Sequence, residues 1–164
     1  PRIYYGFGAD LQVGNFSISA LFQGNAQADR YLDGISIKPF WDDEGRDNVF
    51  ANITDRWRAD NPTNQDVFYP RLSVGSDGNN NNVKPSSWWV KDVSFLRLKQ
   101  VNISYTLPKK WTDPLLIKNA QIYLMGTNLL TFSKFKLWDP ELNTSNGTAY
   151  PNVSSYSIGL KFNF

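Results

Sequence analysis

The sequence predicts an all-β chain: the C-terminal antiparallel strands of a large transmembrane β-barrel, joined by long extracellular loops. Three observations carry this. Tyr156, Ile158, Leu160, Phe162 and Phe164 alternate with Ser157, Gly159, Lys161 and Asn163, and successive side chains of a strand point to opposite faces. The hairpin over about residues 3–25 repeats the pattern, apolar on one side and polar on the other. The connections between strand candidates alternate short and long, as in barrels that cross a membrane with short turns on one side and longer loops on the other.

The first strand is expected over about 3–13, with Ile3, Tyr5, Phe7, Ala9 and Leu11 on one face and Tyr4, Gly6, Gly8, Asp10 and Gln12 on the other. Gly14-Asn15 then supplies residues that tolerate positive φ, the mark of a tight hairpin turn. The second strand, over about 16–25, places Phe16, Ile18, Ala20 and Phe22 on the same apolar face. Residues 26–93 show no sustained strand period and are rich in Asp, Asn, Gly and Pro. They are expected to form a long loop, a kind of segment that is usually functional or disordered. A short helix is expected near Asn48–Arg58, capped by Asp47 or Asn48, because Val49, Phe50, Ile53 and Trp57 fall near helical spacing.

The third strand is expected over about 94–107, where Val101, Ile103, Tyr105 and Leu107 alternate with Gln100, Asn102, Ser104 and Thr106. Arg97 and Lys99 share the parity of Val101, so either these cations lie above the lipid zone or a bulge resets the register. Pro108 lacks an amide donor and ends the strand. The fourth strand, over about 119–130, sets Ile122 and Leu124 against Gln121, Tyr123 and Thr127. A loop over about 131–152 leads to the last strand at about 153–164. Aromatics cluster near the expected strand ends, with Trp88, Trp89, Phe132, Phe135 and Trp138 at one end and Tyr105, Trp111 and Phe164 at the other. Paired aromatic girdles are expected where rings meet lipid headgroups.

Composition narrows the function classes. The chain has no cysteine and no histidine, so disulfides, thiolate chemistry and metal or acid–base work through these residues are absent. Seventeen basic and fifteen acidic residues are dispersed without a basic run, giving nucleic-acid binding little electrostatic support. Five strands cannot close a barrel, and open edges in hydrocarbon cost several kcal/mol per unsatisfied group. The expectation is therefore a piece of a longer polypeptide, whose first residue, Pro1, already lies in a strand pattern.

Several residue clusters invite chemical readings. Asp42-Asp43-Glu44 with Asp47 offers oxygen ligands for calcium but lacks the ordered spacing of an EF-hand, so a solvated loop is favoured. Asp77-Gly-Asn79 reads as a turn. Asp139 and Glu141 are a carboxylate pair in an Asp-Pro-Glu loop, without the separation and cleft that glycoside hydrolysis requires. Ordering of the loop is the favoured role. Trp41 and Trp57 are the candidates for stacking on a substrate ring, while Trp88, Trp89 and Trp138 are assigned to girdle or loop-core packing. No catalytic, cofactor-binding or metal residue is assigned, and no cofactor is expected.

Six or more short motifs stand in order along the chain: Phe95-Leu-Arg-Leu-Lys99, Tyr105-Thr-Leu-Pro108, Asn128-Leu-Leu-Thr131, Asp139-Pro-Glu141, Tyr150-Pro151 and Ile158-Gly-Leu-Lys-Phe-Asn-Phe164. Upstream lie Arg56-Trp57, Asn61-Pro62 and Tyr69-Pro-Arg71. Together they resemble the C-terminal part of SusC/RagA-type TonB-linked outer-membrane transporters of Bacteroidetes, departing mildly at Phe95 and Gln100. The resemblance implies a barrel of about 22 strands set in outer-membrane lipid, with a plug domain that is not in this chain. It implies TonB-driven import of oligosaccharides or peptides, with TonB contacts in the missing N-terminal regions, and a SusD-like surface lipoprotein as partner. It also implies a periplasmic C-terminus, with Tyr156, Ile158, Leu160, Phe162 and Phe164 read by the barrel assembly machinery. The alternative is a soluble carbohydrate-binding β-sandwich, which would bury the same apolar faces against each other. A secreted hydrolase domain is disfavoured.

Overall fold

The computed structural model describes residues 1–34, 37–40, 49–73 and 80–164. The chain forms two compact units. One comprises Pro1–Asp29, Asp92–Leu142 and Ala149–Phe164; the other comprises Arg30–Lys91 and Asn143–Thr148.

The first unit is a five-stranded antiparallel sheet in the order β1-β2-β5-β6-β7. Its strands are β1 (Ile3–Val13), β2 (Phe16–Ala26), β5 (Phe95–Thr106), β6 (Asn119–Ser133) and β7 (Ser155–Asn163). Directly paired residues share a face, so the register decides what each side of the sheet presents. Leu11 pairs with Ile18, Ile18 with Ile103, Ile103 with Leu124 and Leu124 with Ile158. One aliphatic row thus crosses all five strands. The row beside it runs Val13, Phe16, Tyr105, Ile122 and Leu160, and another joins Phe7, Phe22, Leu98 and Leu130. The opposite face carries Asp10, Ser19, Asn102, Met125 and Ser157 in one row and Gln12, Ser17, Ser104, Tyr123 and Gly159 in the next. Leu21 is the one large aliphatic residue on the polar side in these pairings, opposite Gln100 and Gly8.

The cations at 97 and 99 are accommodated by a bulge. Pairing passes from Leu21↔Gln100 to Phe22↔Leu98, and on the other side from Thr127↔Gln100 to Leu130↔Leu98. Lys99 is the residue skipped. Asn128, inside the matching irregularity of β6, adopts φ 52°. Asn is among the few residues that enter this left-handed region readily. Leu98 and Leu96 thereby join the apolar face, and Arg97 turns to the polar face beside Gln23 and Thr131. Strand β6 runs to Ser133, past the expected end near 130, because Leu96 and Phe95 continue to pair with Phe132 and Ser133.

Gly14, at φ 59°, forms the turn between β1 and β2, a conformation that costs a residue with Cβ about 1–2 kcal/mol. The connection after β5 makes two short helical turns, Lys109–Thr112 and Asp113–Leu115. No helix among the described residues is long and apolar enough to cross a membrane.

The second unit replaces the expected irregular loop with a small core of its own. Leu32, Ile37, Tyr69 and Trp89 are buried in it together with Lys38. Leu32 donates its amide to the Trp89 carbonyl at 2.8 Å, and the Trp89 indole donates to the Asn82 carbonyl at 2.9 Å. The short strands β3 (Asp29–Tyr31) and β4 (Val90–Asp92) form a two-stranded ribbon where the chain enters and leaves this unit. The helix expected near Asn48–Arg58 is only a 3-10 turn, Ala51–Thr54. Asn52 and Thr54 are weak helix formers, and from Asp55 onward the backbone bonds to Tyr69 instead. The proposed caps Asp47 and Asn48 lie outside the described residues.

Candidate functional site

The apolar face is the largest feature of the sheet unit. Tyr156, Ile158, Leu160 and Phe162 lie along β7 on this face, and all four are exposed. Phe164 follows the strand and is also exposed; its carbonyl accepts a bond from Lys118 Nζ at 3.0 Å. Phe7 and Phe22 stack at 5.1 Å, and Phe16 meets Tyr105 at 4.6 Å. Phe7 and Phe16 stay more than half exposed despite these pairings. Exposed apolar residues follow one another across neighbouring strands on this face, and large contiguous apolar patches mark interaction or membrane surfaces. Among the described residues the only other sheet is the β3–β4 ribbon, so the second large sheet of a sandwich is missing.

Two glycines let rings lie across the sheet. A Cβ at Gly24 would run into the ring of Tyr5, whose hydroxyl donates to the Phe95 carbonyl at 3.0 Å. On the polar face a Cβ at Gly159 would overlap the ring of Tyr123, its paired neighbour.

Arg97 forms the centre of a charge cluster on the polar face. It is only 2% exposed. Its guanidinium donates to Thr131 Oγ1 at 2.9 Å, to Asp139 at 2.5 Å and to Glu141 at 2.8 Å, and lies 5.4 Å from the Phe95 ring centre. Asn152 Nδ2 donates to Glu141 at 2.8 Å, and Lys99 approaches the same carboxylate at 3.4 Å. The two acids of the Asp-Pro-Glu segment therefore bind a cation from the sheet rather than forming a catalytic pair. Sequence reasoning picked out Arg97 and the Asp-Pro-Glu segment separately. It had no signal that they meet, since 42 residues separate Arg97 from Asp139.

In the loop unit, Lys38 is 1% exposed and pairs with Asp33 at 2.6 Å. The hydrogen bond from Lys38 holds the Asp33 carboxyl below the usual carboxylate range. Burial pushes the Tyr69 phenol up and the Lys91 ammonium down. Lys91 lies over the rings of Phe68 at 4.9 Å and Trp88 at 5.4 Å. Trp88 and Trp89, expected near one girdle, are packed here, and Trp89 is 1% exposed. Phe135 and Trp138 pack edge to face at 5.0 Å in the sheet unit. Trp111, Phe132 and Phe164 remain exposed rings near strand ends.

Trp57 is half-buried; its indole donates to the Pro62 carbonyl at 3.2 Å and its amide to the Tyr69 carbonyl at 2.9 Å. Trp41, the Asp42–Glu44 cluster with Asp47, and Asp77–Asn79 all lie outside the described residues. Among the described residues no group of His, Cys, Asp and Glu side chains could hold a metal ion.

No protein-family model matches the chain. Two proteins of Formosa agariphila match its whole length: TonB-dependent receptor P26, 32% identical over 176 residues, and TonB-dependent receptor P3, 28% identical over 177. The chain spans only 17% and 16% of those proteins. Of solved structures, the RagAB peptide importer in its closed-closed state superposes on 97% of the chain with a TM-score of 0.74 at 24% identity. Its open-open state does so on 98% with a TM-score of 0.69 at 25% identity. The matched region is 17% of the importer chain in each case. The matched proteins are receptors and importers, not enzymes. Along its whole length the chain is thus similar in sequence to a segment of TonB-dependent receptors, and its antiparallel sheet is similar in fold to a segment of the RagAB importer.

Proposed function

We propose that this chain is part of the wall of an outer-membrane transporter that imports oligosaccharides or peptides under TonB energisation, together with a SusD-like surface lipoprotein. The observation that carries the reading is the set of apolar rows crossing all five strands, with charged side chains confined to the other face. Acyl chains solvate such a face; water cannot do so without a large free-energy cost. The outer edges of β1 and β7 then pair with neighbouring strands of a closed barrel, which satisfies their backbone groups in hydrocarbon.

In this reading the short connections at 14–15 and 107–118 lie in the periplasm with Phe164, and the long connections lie outside the cell. Tyr156, Ile158, Leu160, Phe162 and Phe164 form the ridge that the barrel assembly machinery reads before insertion. The plug and the TonB-contacting segment lie elsewhere in the polypeptide. The external loop unit faces the lipoprotein or the imported ligand.

This segment lacks cysteine, so a cysteine placed in it is read against the unsubstituted receptor as background. In intact cells an impermeant maleimide is expected to label Tyr150→Cys and to spare Leu116→Cys until the outer membrane is opened. Both residues are fully accessible in the fold, at 82% and 86% exposure. Labelling of Leu116→Cys alone in intact cells would reverse the orientation and remove the external role of the loops.

A further inference from the structure

We propose that the concavity around Trp57 is a subsite for a carboxylate carried beside a flat or apolar group; this rests on the import reading and names the chemistry of one ligand contact. The concavity has a volume of about 340 Å³ and is lined by Arg56, Trp57, Arg58, Asp60, Arg71 and Leu72 among others. It is shallow and open to solvent, and its volume falls at the low end of the range for small-ligand sites, about 300–1,000 Å³.

Its floor is rigid. Arg56 bridges Tyr69 in parallel, Trp57 donates its amide to the Tyr69 carbonyl at 2.9 Å, and Tyr69 donates to the Asp55 carbonyl at 3.0 Å. Tyr69 is 1% exposed, bonds Asn52 through its hydroxyl and meets Trp89 edge-on at 6.5 Å. The site is therefore built on the buried core of the loop unit. The Trp57 indole N–H is already committed to Pro62, so this ring offers a ligand its face and not a donor.

The charges set the sign of the ligand. Arg58 is committed to Asp60 through Nε at 3.0 Å and Nη2 at 2.6 Å, a pair that neutralises itself. The Asp60 carboxyl is held down first by that bond, with the charge of Arg56 adding to it. Arg56 gives Nη1 to the Ile53 carbonyl at 3.1 Å, which fixes the guanidinium while its remaining donors stay usable. With Arg58 and Asp60 cancelling each other, the Arg56 guanidinium is the charge on which the subsite rests among the described lining residues. A cation would be repelled, and a neutral sugar would accept hydrogen bonds from the guanidinium without the opposite charge that a carboxylate adds. A carboxylate matches guanidinium geometry in bidentate fashion, and an adjacent apolar face stacks on indole. A peptide C-terminus with an apolar last residue and a uronate ring both present this chemistry.

The full-length receptor, purified in detergent, is titrated calorimetrically with a leucine-ending tripeptide and its C-terminal amide, and with trigalacturonate and its methyl ester. At least one acid is expected to bind roughly tenfold more tightly than its own neutral derivative, the scale of one charge-assisted hydrogen bond. The acid that does so identifies the source. Arg56→Gln and Trp57→Ala, checked for folded mobility on unheated gels, are expected to abolish that ratio. Equal affinity of both acids and their neutral derivatives overturns the proposal without any variant, as does a ratio that survives both substitutions in folded protein. Binding in detergent is independent of orientation, so a failed ratio leaves the labelling result standing, and a failed labelling result leaves the ratio standing.

Discussion

Replacing Arg97 by Met should release the segment around Asp139 without dissolving the sheet. The guanidinium is buried and joins β5, β6 and the β6–β7 connection through Thr131, Asp139 and Glu141. Breaking a buried ion pair by deleting one partner costs about 3–5 kcal/mol, mostly because the other charge is left uncompensated. Glu141 is the better protected acid, since Asn152 and Lys99 still reach it. Asp139, whose side chain is 11% exposed, keeps the Glu141 amide at 2.9 Å as its side-chain partner among the described residues. The lower end of the range therefore applies, about 3 kcal/mol, which is roughly 150-fold in a local opening equilibrium. Methionine fills much of the vacated volume, so little of the effect should come from a cavity. The assay is hydrogen exchange of the amides at 137–142 in the full-length receptor, compared with amides in the middle of β5. Faster exchange by about two orders of magnitude in the loop alone is expected, with partial reversal when Asp139→Asn is added. A change under threefold would show that the cluster is a solvated surface pair worth little.

Two further outcomes follow from single contacts. Gly159→Val forces the Tyr123 ring out of its place across β7, an overpacking effect of about 1–3 kcal/mol; the heat-modifiable folded fraction should fall and recover when Tyr123→Ala is added. Because the Asp33 carboxyl is depressed chiefly by its bond from Lys38, that ion pair contributes fully above the ordinary carboxylate value near 4 and is lost as pH falls through the lowered one. A fluorotryptophan resonance at position 89 should therefore hold steady down to about pH 4 and shift below it, and Asp33→Asn should show the perturbed environment already at neutral pH.

The apolar face was legible because it rests on a local rule, alternation, that each strand repeats. The bulge at Lys99 was half legible. The parity conflict between Lys99 and Val101 announced that something must give, but only pairing with Leu21 on one side and Thr127 on the other selects a skipped residue. The loop unit was hardly legible. Its core draws Leu32, Ile37, Tyr69 and Trp89 from separated, aperiodic positions, and neither helical nor strand spacing links them. Trp89 shows the cost, since a tryptophan beside a strand start reads as well for a girdle as for a core. The Trp57 concavity depends on the bridge from Arg56 to Tyr69, a long-range pairing that no short motif encodes.

Lipid on one face of the sheet and water on the other can be distinguished directly by spin-label accessibility. A nitroxide attached to Ile158→Cys and, separately, to Ser157→Cys in the membrane-embedded receptor samples adjacent residues of β7 on opposite faces. Molecular oxygen is expected to relax the label at 158 strongly while a water-soluble nickel chelate barely reaches it, with the reverse at 157. Equal access of the nickel chelate to both positions would contradict this assignment of faces.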